Sequence, residues 1–211
     1  MDRGKVAVLL CTITGIIFSC ASFSLIIASQ IKQNWIRYVT VTGATVTSAD
    51  IGLWDTYYTI YNSGFFITAT TVDSAKTGYF SEDAVKACRA LAILTTILTF
   101  AALVTAIVFL LLDLKKGVSF KIRKALVAAT VATSGSAALL ASLTLIVART
   151  MFKSGMSLDT SFNMGIAATI LMVVTTLDFI ILINIAFRKD STTVTVLNER
   201  KGNNITTVSD P

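Results

Sequence analysis

One carboxylate in this chain stands within a long apolar segment, and it is the residue whose position could support chemistry. Asp178 lies in the sequence TTLDF, in the last of the apolar segments. If that segment crosses a membrane, the carboxylate costs about 2.5–3.5 kcal/mol on insertion scales, so it should face a helix-bundle interior or a partner. The position predicts either an ion or proton site, or a polar contact with hydroxyls such as those of Thr12, Thr14 and Ser19.

Other catalytic chemistry has no support in the sequence. The chain contains no histidine, no Cys-x-x-Cys pair and no glycine-rich phosphate loop, so the usual general bases, metal ligands and phosphate-binding loops are missing. We interpret Cys11 and Cys20 as packing residues and Cys88 as the one thiol to test by chemical labelling. We therefore expect no enzymatic activity, no cofactor, no metal, no nucleic acid and no small-molecule substrate.

Four apolar runs must position these residues, each near the ~20 residues that cross a hydrocarbon core. They cover residues 6–29, 87–112, 125–148 and 165–187. The chain is 54% hydrophobic and only 14% charged, whereas about a quarter of the residues in soluble domains are charged. The first run exceeds the core of about 7–15 residues in a secretory signal, so we expect it to be retained. The sequence predicts one four-span membrane domain over 1–187 and a disordered polar tail over 188–211.

The basic residues predict the topology and account for the net charge of +6. Lysines and arginines precede the first run, fill 115–124 and follow the fourth run, and cytoplasmic segments carry this excess. The loop 30–83 has more acidic than basic residues, so it should lie outside, as should the short loop 149–162. We expect a multi-pass plasma-membrane protein with both termini in the cytoplasm.

The long first loop has the composition of a folded β domain. Residues 35–42 and 53–61 are rich in β-branched and aromatic side chains, which favour strands. The sequence Asn62-Ser63-Gly64 predicts a turn, and 65–72 the returning strand of a hairpin. We expect a small antiparallel sheet on a helix bundle.

Trp35, followed by Gly52, Leu53 and Trp54, resembles the Trp…Gly-Leu-Trp signature in the first extracellular loop of the claudin and peripheral myelin protein superfamily. The sequence around Arg89 (ACRAL) and the sequence NMGIAA from residue 163 are similar to the entries into that family's second and fourth helices. The resemblance implies a left-handed four-helix transmembrane bundle with a small extracellular antiparallel sheet. From composition alone, both tryptophans could instead be interfacial anchors.

Arg89 lies at the outward end of the second run, where a long cationic side chain can extend to the interface. It could also pair with loop acids, of which Glu82, Asp83 and Asp159 are candidates. The resemblance implies a third role, in which Arg89 ties the second helix to the loop sheet.

The loop departs from the family in having no cysteine. The resemblance implies a disulfide whose positions fall near Tyr57 and near Phe65 or Phe66 by spacing. A disulfide contributes about 2–4 kcal/mol, whereas an aromatic cross-strand pair contributes only ~0.2–1 kcal/mol. We expect aromatic packing to substitute for the bridge.

Small residues recur at every fourth position of the third run. The series is Ala125, Ala129, Thr133, Ala137 and Ala141. Such a stripe lets another helix approach closely. We expect packing within the bundle, with association between molecules as the alternative.

Two functions fit these features, and a third is more remote. The claudin resemblance implies cell-cell adhesion or a paracellular barrier, with acidic loop residues biasing ion passage and with apolar loop residues contacting the partner. The candidate contacts are Phe65, Phe66, Tyr79 and Phe80. The alternative is an accessory subunit of a channel or receptor, and the remote one is an ion or proton pathway through Asp178. The expected partners are membrane lipid together with a second copy or another membrane protein.

Overall fold

Four long helices form the bulk of the molecule. The computed structural model describes residues 3–32, 35–78, 80–115, 119–151 and 156–203, with backbone alone at 3–5, 120 and 185–203. The helices are α1 (Arg3–Ile31), α2 (Glu82–Leu114), α3 (Phe120–Thr150) and α4 (Thr160–Asn203). Each contains a stretch long and apolar enough to cross a membrane: Val6–Ile31, Glu82–Leu114, Lys121–Thr150 and Thr160–Asn184. The four-span architecture predicted from the sequence is confirmed at this level.

The buried positions of the helices alternate between three and four residues apart. In α2 they are Val85, Cys88, Ala92, Thr95, Thr99, Ala102, Ala106 and Phe109. In α3 the same spacing links Val127, Thr130, Ser134, Ala137, Ala141, Thr144 and Ala148. A mean spacing of about 3.5 residues keeps one seam against the neighbouring helices when they wind in a left-handed sense. This spacing is that of helices packed side by side in a bundle.

The side chains inside the bundle are mostly small and many carry hydroxyls, whereas those on its exterior are mostly aliphatic. Thr12, Ser22, Thr99 and Thr175 are buried, whereas large side chains such as Leu139 point outward at 69% exposed. Most buried hydroxyls donate to the carbonyl three or four residues earlier, as Thr99 Oγ1 does to the carbonyl of residue 95 at 2.7 Å. Apolar side chains facing lipid and small ones between helices are what a bilayer environment requires.

The predicted small-residue stripe of α3 does not form one buried face. Ala125 is exposed and Ala129 and Thr133 are half-buried, so only Ala137 and Ala141 lie in the interior. A helix turns about 100° per residue, so a step of four residues overshoots a full turn by about 40° and the stripe winds out of the interface. The alternating three-and-four spacing is the one that stays buried.

A five-stranded antiparallel sheet stands at the end of the bundle where α1 ends and α2 begins. Its strands are β1 (Ile36–Thr42), β2 (Thr45–Ile51), β3 (Asp55–Asn62), β4 (Phe65–Asp73) and β5 (Met156–Leu158), in the spatial order β4-β3-β2-β1-β5. The predicted antiparallel sheet is confirmed, but β2 and β5 were not anticipated. β5 comes from the predicted second loop and pairs with the first three residues of β1.

Two tight turns set the register of the sheet. Gly43 has φ of 61° between β1 and β2, and Ser63 and Gly64 have φ of 51° and 83° between β3 and β4. Two consecutive residues of positive φ are the geometry of a type I′ turn, whose twist matches that of the strands. The predicted turn at 62–64 therefore has a specific conformation.

Helix α4 continues to Asn203, where a disordered tail was predicted from residue 188. Adding a residue to an existing helix gains one hydrogen bond without a new nucleus, so even a polar sequence can extend it. Residues 204–211 of the predicted tail lie outside the described residues, and the disorder predicted there stays a prediction.

Candidate functional site

The foot of the sheet, residues 35–37, 50–55 and 73–76, is seated on the bundle through Trp35. This side chain is 5% exposed, its Nε1 donates to the carbonyl of Ser29, and its ring meets Phe162 edge-on at 6.0 Å between centroids. It belongs to an apolar cluster that also contains Ile51, Leu53 and residues of α2 and α3. Trp35 is thus a core residue rather than an interfacial anchor.

The segment Gly52-Leu53-Trp54 makes the tight connection between β2 and β3. The amide of Gly52 donates to the Asp55 carbonyl at 2.9 Å, and its own carbonyl accepts from Ser74 Oγ at 2.9 Å. Leu53 is buried while Trp54 is partly exposed. The connection therefore places two carbonyls, those of residues 53 and 54, within reach of helix α2.

Arg89 of α2 takes both of these carbonyls. Its Nε donates to the Leu53 carbonyl at 3.0 Å, and its Nη2 donates to the Trp54 carbonyl at 2.7 Å. The guanidinium also lies 5.2 Å from the centre of the Trp54 ring, within cation–π range. Arg89 therefore fastens the sheet to the bundle.

The acidic partner of Arg89 is Asp73, at 2.6 Å from Nη2 to Oδ1. The sequence had suggested Glu82, Asp83 or Asp159 for this role. The hydrogen bond from Arg89, followed by one from the backbone N–H of Ala75, holds the pKa of Asp73 below its usual range. Asp73 is therefore a carboxylate at neutral pH, and it closes a charged contact between β4 and α2.

A second ion-pair cluster lies at the other side of the foot. Arg37 Nε contacts Asp50 Oδ1 at 2.7 Å, and Arg37 Nη2 contacts Asp159 Oδ2 at 3.3 Å. Asp159 also accepts from the backbone N–H of Thr160 at 2.6 Å, and this bond is the leading cause of its lowered pKa. These contacts join β1, β2 and the start of α4.

Beyond the foot, the sheet carries no charge at all. The segments 38–49 and 56–72, which we call the distal sheet, contain no aspartate, glutamate, lysine or arginine. Soluble sheets normally place charges at exposed strands to prevent unwanted pairing. The distal sheet lacks this protection against pairing with another strand.

One face of the distal sheet presents a continuous apolar row near its tip. Val41 pairs with Val46, Val46 with Tyr61, and Tyr61 with Phe66. Because residues directly opposite across a sheet share a face, these four side chains, which we call the distal row, lie side by side. Tyr61 and Phe66 meet edge-on at 6.0 Å between ring centroids, and Phe66 is 60% exposed.

Both edges of the distal sheet are open among the residues that the structure describes. β4 is the terminal strand on one side, and on the other side β5 covers β1 only from Ile36 to Tyr38. The remainder of β1, to Thr42, has no neighbouring strand on that side. Exposed edges carry free N–H and C=O groups that can pair with another strand.

The predicted partner contacts fall into three groups. Phe65, at 75% exposed, and Phe66 lie at the tip of the sheet on opposite faces. Phe80 packs against the apolar cluster of the foot, so it is not on this surface, and Tyr79 lies outside the described residues. Sequence reasoning missed Val41, Val46 and Tyr61, although the long uncharged stretches could have identified them.

The two positions at which the family's disulfide would fall do not face each other. Tyr57 pairs with Thr71, whereas spacing had suggested Phe65 or Phe66. The hairpin is longer than the spacing assumed. The aromatic pair that spans β3 and β4 is Tyr61 with Phe66.

The remaining candidates for chemistry do not form a site. Asp178 is half-buried, its Oδ2 has no hydrogen-bond partner in the described part of the chain, and Thr12 donates to the Val8 carbonyl instead. Cys88 is buried, so the thiol chosen for labelling is inaccessible, whereas Cys20 is exposed. No group of three or more metal-ligating side chains occurs among the residues that the structure describes.

Comparison with protein-family models and with curated proteins finds no match to this chain. The arrangement of the foot and the distal sheet therefore carries the functional argument.

Proposed function

We propose that this chain is a claudin-like plasma-membrane protein whose sheet faces outward and binds the sheet of a second copy. Its role is then cell-cell adhesion or assembly of a paracellular barrier. The observation that carries this proposal is the distal sheet, which is uncharged over 38–49 and 56–72, exposes the distal row, and has two open edges. Exposed apolar patches of this kind mark interaction sites.

The distribution of basic residues supports the orientation. Lysines and arginines cluster at the start of α1, at residues 115–124 around the connection from α2 to α3, and at residues 188 and 189 of α4, all at the opposite end of the bundle from the sheet. By the positive-inside rule that end is cytoplasmic. The sheet then lies on the outer side, and both termini lie in the cytoplasm.

A second copy is the partner that this chemistry fits best. Two uncharged sheets meet without charge repulsion, an open strand can pair with its equivalent, and the distal row can pack on another apolar row. The acids Asp50 and Asp73 are already paired with arginines at the foot. They therefore do not support the acidic bias on ion passage that the loop composition suggested.

A charge-reversal experiment tests the surface directly. Two populations of otherwise non-adhesive cells express Phe66→Lys or Phe66→Asp, and a third expresses the unaltered chain. We expect the unaltered chain to form assemblies at cell contacts, and each variant alone to lose them because like charges meet in a desolvated contact. Mixing the two variants should restore contacts, since opposite charges then face each other.

The matched control is Thr68→Ala, which changes an exposed residue of the same strand on the opposite face. It should leave adhesion intact. If cells with Phe66→Lys, cells with Phe66→Asp and cells with the unaltered chain all adhere equally, the distal row is not the contact surface. If the unaltered chain stays diffuse and co-purifies with a different membrane protein, the accessory-subunit function is supported instead.

A further inference from the structure

A small cavity lies at the centre of the four-helix bundle, far from the sheet. It is lined by hydroxyls from all four helices: Ser19 and Ser22 of α1, Thr99 of α2, Ser134 of α3 and Thr175 of α4. None of these side chains is more than 3% exposed. The volume open to the centre of a water molecule is about 10 Å³, which is close to the space that one water needs.

Three of the hydroxyls face the cavity as acceptors. Thr99 Oγ1 donates its hydrogen to the carbonyl of residue 95 at 2.7 Å, and Thr175 Oγ1 donates to that of residue 171 at 2.8 Å. Ser134 Oγ donates to the carbonyl of residue 131 at 3.3 Å and accepts from Thr176 Oγ1 at 3.0 Å, so one of its lone pairs is left. Because each hydrogen is used within its own helix, the lone pairs of these oxygens are what remains for the cavity.

The two serines of α1 are different. Ser19 Oγ and Ser22 Oγ have no hydrogen-bond partner among the residues that the structure describes, although Ser22 is 0% exposed and Ser19 is 3% exposed. A buried hydroxyl without a partner is costly, and such groups in native proteins usually bind an internal water. No lipid tail can satisfy them.

We propose that this cavity is a hydration site that holds one water molecule and joins α1 to two of the other three helices. A water donates two hydrogens and accepts two. Its hydrogens are directed to two of the three acceptor hydroxyls, and its oxygen accepts from Ser19 and Ser22. A metal cation fits less well because hard cations take carboxylate ligands, and the residues that line the cavity include no acid.

The site can be observed by NMR in lipid nanodiscs with methyl-labelled alanine. Ala137 lines the cavity, whereas Ala106, which is equally buried, lies in an apolar cluster with Phe109 and Phe179. We expect a cross-peak between water and the Ala137 methyl group, and none at Ala106. Absence of the Ala137 cross-peak in the unaltered chain overturns the proposal, as does an equal signal at Ala106.

Ser22→Val separates a bound water from proton exchange at neighbouring hydroxyls. The larger apolar side chain fills the cavity and leaves Ser134 in place, so the Ala137 cross-peak should disappear. Ser24→Val is the matched control, since Ser24 is exposed on the same helix and donates to the Cys20 carbonyl at 2.9 Å. A cross-peak that survives in Ser22→Val overturns the proposal, and if that variant does not fold, the comparison of Ala137 with Ala106 decides.

Discussion

The helix bundle and the distal sheet both expose large apolar side chains, yet only those of the bundle lie where the apolar interior of a lipid bilayer can surround them. Leu139 of α3 is 69% exposed and Phe65 of the sheet is 75% exposed. A bilayer covers the first, because α3 is long and apolar enough to cross it. The second lies beyond the spans, where exposed apolar surface is unfavourable until another molecule covers it. The same exposed fraction is therefore favourable on the bundle, where lipid surrounds the side chain, and unfavourable on the distal sheet, where water surrounds it.

The two regions are also stabilised differently. The bundle has a continuous interior of small and hydroxyl side chains, so close van der Waals packing between helices holds it together. The sheet has an apolar core only at its foot, and its distal part depends on strand pairing. Arg89 is where the two meet, since one side chain of α2 bonds to Leu53, Trp54 and Asp73.

The largest effect is expected from removing that link. Arg89→Ala leaves two carbonyls and one carboxylate without their charged donor, and the hydrogen bonds from the charged guanidinium to the two carbonyls are worth about 1.5–3 kcal/mol each. We expect the sheet to become sensitive to protease while the bundle stays folded, because the helices have their own interior. Limited proteolysis in nanodiscs, with cleavage sites mapped by mass spectrometry, measures this.

Arg89→Lys is the control for charge alone. Lysine keeps the positive charge but has no planar guanidinium to reach several acceptors. The protease resistance of the sheet in Arg89→Lys should therefore lie between that of the unaltered chain and that of Arg89→Ala. Equal protease resistance in all three proteins would show that the sheet does not depend on this side chain.

A smaller effect is expected inside the bundle, from a single methyl group. A Cβ at Gly15 would lie 2.7 Å from Cε2 of Phe179, whereas one at Gly135 would have its nearest neighbour at 3.7 Å. Overpacking of this kind costs about 1–3 kcal/mol, so Gly15→Ala should lower the midpoint of thermal unfolding. Gly135→Ala should leave it unchanged or raise it, since alanine is the better helix former.

The comparison between Gly15 of α1 and Gly135 of α3 also tests how tightly α1 packs against Phe179 of α4. If Gly15→Ala and Gly135→Ala have the same midpoint, Phe179 moves aside easily. The contact between α1 and α4 would then be looser than the packing of a membrane bundle implies.

The bundle was more predictable from the sequence than the sheet because its signal is long. Four apolar runs of spanning length leave few alternatives, and the sequence pattern already points to Trp35 and Arg89 where the helices meet the sheet. Residues at every fourth position of a helix lie on nearly one face over two turns, but they drift away from that face over five turns. The stripe from Ala125 to Ala141 is therefore a poor guide to the buried face of α3.

The sheet was only partly predictable because its pairing is nonlocal. β5 consists of three residues whose strand conformation depends on β1, more than a hundred residues earlier along the chain, and no local pattern reports that. β2 includes Ser48 and Asp50, which are weak strand formers, and it is held by neighbours on both sides. The pairing of Arg89 with Asp73 depends in turn on this register.

The distal row should matter little to the stability of one molecule. Phe66→Ala removes one aromatic cross-strand pair with Tyr61, which contributes about 0.2–1 kcal/mol. We expect a small change in thermal midpoint, measured in dilute detergent where copies are separate, together with loss of adhesion in cells. A large loss of stability in detergent would mean that Phe66 belongs to the core of the sheet. The contrast between apolar side chains covered by lipid and apolar side chains exposed to water would then be wrong.

The smallest effect is the pH dependence of the link between the two regions. Arg89 lowers the pKa of Asp73 in the folded protein, so the contact stabilises the fold fully above the unfolded pKa of about 3.9 and is lost as the pH falls through the lower folded value. Protease resistance of the sheet should therefore be constant from pH 7 to about 5 and decrease below about 4.

Asp73→Asn removes this titration, so the protease resistance of that variant should be lower at neutral pH and less dependent on acid. Since Asp50 and Asp159 also pair with an arginine, the informative quantity is the difference between the two proteins at each pH. If that difference does not shrink in acid, the charge of Asp73 does not hold the sheet to the bundle.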